Sequence, residues 1–321
     1  MSVLRPSCMR DLNLFVGRKC NATCDHCSVD SSPKASTRMS APTLEGVLNL
    51  IAEFAAVGGD GRVLMTGGEP MLFANETARI SAVAHAHGLR FGIETNAYWA
   101  KSFEITQRLL RRYRIDDLII SASRFHQIYV PLERVLIAYC VARSMGVRAS
   151  VRVAVVADEK VDATLAAVRV AVSPDDLIEE PVTGFGRAAT IVAPQMRQTV
   201  ASDDPLLCPS DGPIVMEDGR VDPCCGPFSA FDDHSFAMGN AVDGGTCARI
   251  LGDPVFARLR RKGVRALVEE LDAMDLPVRH HLAQGNACAV CAAVMRDTVL
   301  APAITRLRAS GESASTCVEQ T

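Results

Sequence analysis

The sequence carries no basic run and no Gly/Arg tract, and its formal net charge is only −3. Nucleic-acid binders work largely by neutralising phosphates, so that class of partner is excluded. No stretch approaches about 18 uninterrupted apolar residues, which leaves no candidate for a membrane span. The opening MSVLRPSCMR lacks the apolar h-region of a secretory signal, and a cytoplasmic protein is expected. There is no internal repeat. What remains is 321 residues, 48% of them hydrophobic. That is enough for one large α/β domain with an appendage, or for two domains.

Against those absences stands an excess of twelve cysteines. In a reducing compartment, clustered cysteines are metal ligands or catalytic groups more often than disulfides. Cys20, Cys24 and Cys27 lie near the start. Cys208, Cys224, Cys225, Cys247, Cys288 and Cys291 lie in the last third, while Cys8, Cys140 and Cys317 stand alone. The blank middle separates two sites.

Between residues 12 and 182, short apolar runs alternate with helical periodicity. Strands are expected at 12–17, 62–66, 90–95, 117–122, 150–157 and 175–182. Leu44, Val47, Leu48, Ile51, Phe54 and Ala55 follow helical i, i+3, i+4, i+7 spacing, entered through Ser40 and Pro42. Val135, Ala138, Tyr139, Ala142 and Met145 mark another helix. Strands alternating with helices imply a parallel sheet, doubly wound or a partial barrel, and near-continuous apolar strands fit burial on both faces. After Pro181 the texture changes. Residues 183–247 are rich in Gly, Pro, Asp and Cys, the composition of a loop-rich module held by something other than a core. A helical stretch follows at 254–271, and the small, polar tail is expected to be flexible over 301–321.

The first cysteines read CNATCDHC, spaced CxxxCxxC, and directly follow the first expected strand. Parallel α/β folds place their sites at that end of a strand. Three thiolates can hold three irons of a [4Fe–4S] cluster and leave the fourth iron open for an exchangeable ligand. An open metal position signals chemistry rather than structure. A zinc site completed by His26 is the alternative. At the end of the second strand stands Thr66-Gly67-Gly68-Glu69-Pro70. Two glycines let backbone groups approach a ligand closely, and a glutamate suits an ammonium.

On these two motifs the sequence resembles the radical S-adenosylmethionine (SAM) superfamily over roughly residues 10–190, which implies a partial (β/α)6 barrel. The resemblance implies that Cys20, Cys24 and Cys27 carry the cluster. It also implies that Gly67, Gly68, Glu69 and Pro70 receive the methionine part of SAM. Glu94-Thr95-Asn96 and Ser121-Ala122-Ser123, ending the third and fourth strands, resemble positions that meet SAM through small polar side chains, hence Asn96, Ser121 and Ser123. His26 stands where the family often has an aromatic against adenine. Gly184 to Ala188, GFGRA, resembles a common segment after the sixth strand. Arg124 and His126 either face the site or sit in a solvated loop.

The second set begins CPSDGPIVMEDGRVDPC, which reads as a hairpin turning at Asp218-Gly219. With the later Cys288-Ala-Val-Cys291, it resembles the auxiliary-cluster domains called SPASM and, in shorter form, twitch. That resemblance implies a module over residues 191–300 with one auxiliary [4Fe–4S] cluster on Cys208, Cys224, Cys288 and Cys291. Spacing favours Cys224 over Cys225. A zinc site made by the same four cysteines is the alternative. Cys225 and Cys247 then remain, each either a small buried hydrophobe or a thiol that gives a hydrogen atom to a substrate radical.

The resemblance implies reductive cleavage of SAM to a 5′-deoxyadenosyl radical, with a flavodoxin- or ferredoxin-type electron donor. Only 19 residues precede Cys20, too few for the leader-binding domain of many peptide-modifying relatives. The expectation is therefore a small-molecule substrate, sugar- or aminoglycoside-like, epimerised at a carbinol carbon as in the neomycin epimerase type. A dehydrogenase or peptide maturase using the auxiliary cluster as electron acceptor is the alternative. A zinc-stabilised binding module is the non-enzyme reading.

Overall fold

The first strand, β1 (Asp11–Phe15), is buried along its whole length, which only a central strand covered on both faces allows. The computed structural model describes residues 10–57, 61–156, 162–182, 184–192, 203–210, 212–224, 226, 237–284 and 286–310. After β1 the chain alternates α1 (Ala41–Ala56), β2 (Arg62–Thr66), α2 (Ala74–Ala86), β3 (Arg90–Thr95), α3 (Phe103–Arg112) and β4 (Asp117–Ser121). It continues with α4 (Arg124–Gln127), α5 (Leu132–Ser144), β5 (Arg148–Val155), α6 (Ala163–Ala171) and β6 (Leu177–Pro181). The expected strands match to within a residue or two, where apolar runs are bounded by polar turns. Ser40 caps α1 by accepting from Thr43 N–H, and Leu44, Val47, Leu48, Ile51 and Phe54 are buried beneath it as the periodicity requires. Each such side chain contributes about 2 kcal/mol.

Neighbouring strands run β6-β5-β4-β3-β2-β1 and are all parallel. That order never reverses. A doubly wound sheet reverses at its switch point, so the strand order decides for the partial barrel. On the far side of β1 the sheet is extended by β7 (Ile214–Val215), which is parallel to β1, and by antiparallel β8 (Arg220–Asp222) and β9 (Gly239–Asn240). The β7–β8 hairpin turns at Asp218-Gly219 as expected. A short α7 (Ala189–Val192) precedes this extension.

The remaining helices are α8 (Thr246–Gly252), α9 (Pro254–Asp272), α10 (Ala287–Arg296) and α11 (Ala301–Ala309). Beyond the loop-rich stretch 183–247, Leu259, Val264, Leu267, Leu271, Val290, Val294, Leu300, Ile304 and Leu307 form a hydrophobic cluster separate from that of the barrel. One expectation is corrected here. Part of the supposed flexible tail belongs to this cluster, because α11 buries Ala303, Ile304 and Leu307. Residues 311–321 lie outside the described residues. Among the described residues, no single helix is long and apolar enough to cross a membrane.

Candidate active site

The CNATCDHC loop leaves β1 at the C-terminal end of the parallel strands and is tied to two neighbouring strand ends. From β2, Gly68 N–H donates to Gly17 O at 2.8 Å and Glu69 N–H to Lys19 O at 3.0 Å. A Cβ on Gly68 would sit 2.2 Å from Lys19 O, so the close approach requires glycine. From β3, the Asn96 amide donates to Asn21 Oδ1 at 2.9 Å and lies 3.8 Å from Cys20 Sγ. Backbone N–H groups of Ala22 and Ser31 point at the sulfurs of Cys20 and Cys27, each at 3.4 Å.

Burial pushes the Cys20 thiol up to about 11, with Glu69 and Cys27 adding to it, and the Cys24 thiol up to about 12, with Cys20 and Cys27 adding. Thiols raised as Cys20 and Cys24 are give up their protons to a cationic metal centre. The donor set therefore fits an iron–sulfur cluster.

Gly67, Gly68, Asn96, Ser121 and His26 all line the cavity beside these thiols. Glu69, Pro70 and Ser123 do not. Glu69 is fully buried, and its carboxylate accepts from Thr95 Oγ1 at 2.8 and 2.9 Å, Asn96 N–H at 3.0 Å and Met71 N–H at 3.1 Å. Through those donors it joins the ends of β2 and β3. Pro70 opens the buried turn behind it. Ser123 is buried and hydrogen-bonds His126 Nδ1 at 2.8 Å, leaving His126 itself on the cavity wall.

His26 stacks on Phe125 (centroids 4.6 Å apart) and meets His126 edge-on at 4.7 Å. Burial, then the Arg187 charge, lowers His26 to about 4; burial, then His26, lowers His126 to about 3. Both rings are neutral at pH 7.

The second set converges on the same space. Cys208, Cys224, Cys288 and Cys291 all line a cavity of about 1260 Å³ whose wall also holds Cys20, Cys24 and Cys27. A Cβ on Gly226 would lie 3.5 Å from Cys224 Sγ and 3.8 Å from Cys288 Sγ, so those two flank one point. Burial raises the Cys291 thiol, and the neighbouring Cys208 and Cys288 add to the effect.

Arg152 of β5 bridges Glu94 of β3 (2.7 Å) and Glu180 of β6 (3.7 Å), and all three line the same cavity. Burial raises the Glu180 carboxyl, with Arg152 opposing. The sequence reading passed over this trio, although a lone arginine inside the apolar run of β5 was the available signal.

Cys247 is elsewhere. It is fully buried on α8 against α1, with its N–H donating to Glu53 Oε1 at 2.7 Å, and it is absent from the cavity wall. The expected role as hydrogen donor is corrected: the thiol, pushed up to about 12 by burial and then Glu53, is a core residue. Cys225 lies outside the described residues.

A parallel partial barrel with a three-thiol loop at the strand ends defines a class of metal-dependent α/β-barrel enzymes. Residues 14–153 match the sequence model of the Radical SAM superfamily, a class that uses a [4Fe–4S] cluster and SAM. The chain is 23% identical, over 68% of its length and 70% of the other's, to YydG of Bacillus subtilis (strain 168), a provisionally assigned peptide biosynthesis protein. A solved structure of histidine-tagged anSMEcpe with bound AdoMet shares the fold, with TM-score 0.51 and 13% identity over 92% of this chain and 97% of that one. A crystal structure of BtrN in complex with AdoMet and 2-DOIA is less similar, with TM-score 0.45 and 16% identity over 83% of this chain and 91% of that one.

Proposed function

We propose that the chain is a peptide-modifying radical SAM enzyme that inverts a carbon centre. In this reading Cys20, Cys24 and Cys27 hold the SAM-binding cluster, and Cys208, Cys224, Cys288 and Cys291 hold an auxiliary [4Fe–4S] cluster. The observation that carries it is the single cavity walled by all seven thiols. A substrate there lies between the two sets. When reduced, the cluster with SAM supplies a 5′-deoxyadenosyl radical able to take hydrogen from an unactivated carbon.

The chain's own residues do the rest. Gly67, Gly68, Asn96, Ser121 and His26 receive SAM, and the Glu94–Arg152–Glu180 trio orients the substrate. A hydrogen atom is then returned to the face opposite the abstraction. Cys225 is the donor in this reading, because its sequence neighbours Cys224 and Gly226 both line the cavity whereas Cys247 does not. Having lost a hydrogen atom, Cys225 needs one electron and one proton, which a flavodoxin- or ferredoxin-type donor and solvent supply. A peptide is preferred to a sugar because of the likeness to YydG.

The test is turnover in D₂O with SAM, dithionite and a pool of linear synthetic peptides, beside an aminoglycoside arm. The expected product keeps its formula, carries one deuterium at the inverted carbon, and is lost in Cys225→Ala while 5′-deoxyadenosine still forms. Product two hydrogens lighter, without deuterium, would instead favour oxidation with the auxiliary cluster as electron acceptor. That second reading draws on the same cavity-facing thiols. Turnover of the aminoglycoside alone would return the substrate class to sugars.

A further inference from the structure

β6 is an outer edge of the sheet, and β1, bordered by β2 and β7, lies five strands away from it. The two are nevertheless joined at one point, because Gly186, Arg187 and Ala188, which follow β6, reach the loop that leaves β1. Arg187 makes four contacts with the CNATCDHC loop and its continuation. Its backbone N–H donates to Cys27 O at 3.0 Å, Nε to Cys24 O at 3.0 Å and Nη2 to Ser31 O at 2.7 Å, while Nη1 lies 3.6 Å from the Asp30 carboxylate. Two of the three thiol-bearing residues are thus held through their carbonyls by one side chain and its own backbone.

Gly186 permits the approach. Its φ is +56°, and a Cβ there would fall 2.5 Å from Ser28 O and 2.6 Å from Cys27 O. Ala188 is fully buried with Cys20, Ala22, Cys24, Phe125 and Val182, which fixes the segment from the other side.

We propose that Arg187 is a positioning residue for the SAM-binding cluster: it latches the segment after the edge strand β6 onto the thiol loop and sets a fixed positive charge beside Cys24. The forked hydrogen bonds hold the loop in the geometry that keeps three sulfurs around one centre. The charge offsets that of the thiolates and makes the cluster easier to reduce. This rests on the assignment of Cys20, Cys24 and Cys27 as ligands, and not on the peptide substrate or on inversion.

The experiment uses the full chain, reconstituted anaerobically, as wild type, Arg187→Ala, Arg187→Lys and Gly186→Ala. A variant with Cys20, Cys24 and Cys27 all changed to alanine defines which iron belongs to the first site. Two quantities are read: the rate at which first-site iron passes to a ferrous chelator, and the midpoint potential of the SAM-responsive EPR signal. Arg187→Ala is expected to lose first-site iron at least 10-fold faster and to shift the potential negative. Arg187→Lys keeps the charge without the fork, so its potential stays near wild type while iron loss is still accelerated. Gly186→Ala likewise accelerates iron loss with the charge intact.

Far-UV circular dichroism checks that each variant folds, and the lysine variant decides the matter if the alanine variant does not. First-site iron released at the wild-type rate, with an unshifted potential, overturns the latch. A wild-type protein with no SAM-responsive signal overturns the ligand assignment beneath it.

Discussion

Cys20, Cys24 and Cys27 stand in a loop pinned by hydrogen bonds from the ends of β2 and β3 and from Arg187, so their geometry is written into the parallel sheet. Cys208, Cys224, Cys288 and Cys291 come from three separate stretches of chain. Cys288 and Cys291 are carried on α10, which packs into a hydrophobic core of its own. The first site needs the barrel to form; the second needs α9, α10 and α11 to pack. A local hydrogen-bonded loop and a tertiary assembly therefore face each other across one cavity, and they should fail independently.

The sharpest break is at the first site. Cys24→Ala is expected to cut 5′-deoxyadenosine formation by at least about 1,000-fold, since its radical step has no other source, while second-site iron is retained. Chromatography of the reaction mixture and iron analysis read both. Changing Cys288 and Cys291 together to alanine is expected to do the reverse. Substrate conversion falls by about 100-fold or more, with SAM cleavage held within a few-fold, if the two sites act in separate steps. Equal loss of both activities would merge them.

Leu267→Ala removes a fully buried side chain from the second core and is expected to cost about 2–5 kcal/mol. In calorimetry, a C-terminal transition should move to lower temperature while the barrel transition stays. Glu69→Gln is expected to cost about 1–3 kcal/mol by unsettling the donors around a buried carboxylate. The apoprotein's melting temperature should fall. A side chain serving only a SAM ammonium would weaken SAM binding and leave apoprotein stability alone. The smallest effect is reserved for Cys247→Ala, which should keep conversion within about 3-fold and cost about 1 kcal/mol. Loss of conversion would reinstate it as a donor.

The pH dependence follows from the two histidines at the first site. His26 and His126 are lowered to about 4 and 3 by burial, below the ordinary value near 6.5. The unfolded chain therefore binds protons that the native state excludes. Stability is full above pH of about 6.5 and declines as pH falls towards 4. His26→Phe should flatten that decline in an acid melting series.

The barrel was legible because apolar strand runs and helical spacing are local signals, and residues such as Leu44, Val47 and Ile51 carry them openly. What periodicity left open, doubly wound sheet or barrel, depended on strand order, which is a long-range property. The thiol loop and the two glycines after β2 were legible as motifs, but the work of Glu69 was not. An acidic residue after two glycines reads as a ligand contact, and its three donors show that it also braces the ends of β2 and β3. Cys247 misled for a related reason. Loop-like glycines around it suggested a site margin, whereas packing of α8 on α1 placed it in the core. The second core was not legible because its apolar residues are spread from Leu206 to Leu307, and the helical spacing of Val255, Leu259, Leu267 and Leu271 on α9 does not say which distant segments it packs against.

In the proposed reading, two thiol sites, each holding an iron–sulfur cluster, line one cavity. Iron and sulfide per chain, measured after anaerobic reconstitution together with EPR of the reduced protein, decide whether both clusters form. About eight irons are expected, falling to about four when either cysteine set is replaced by alanine, with a SAM-responsive signal lost only with Cys20, Cys24 and Cys27. Zinc without iron at either site, or a single cluster that both sets of substitutions abolish, would contradict it.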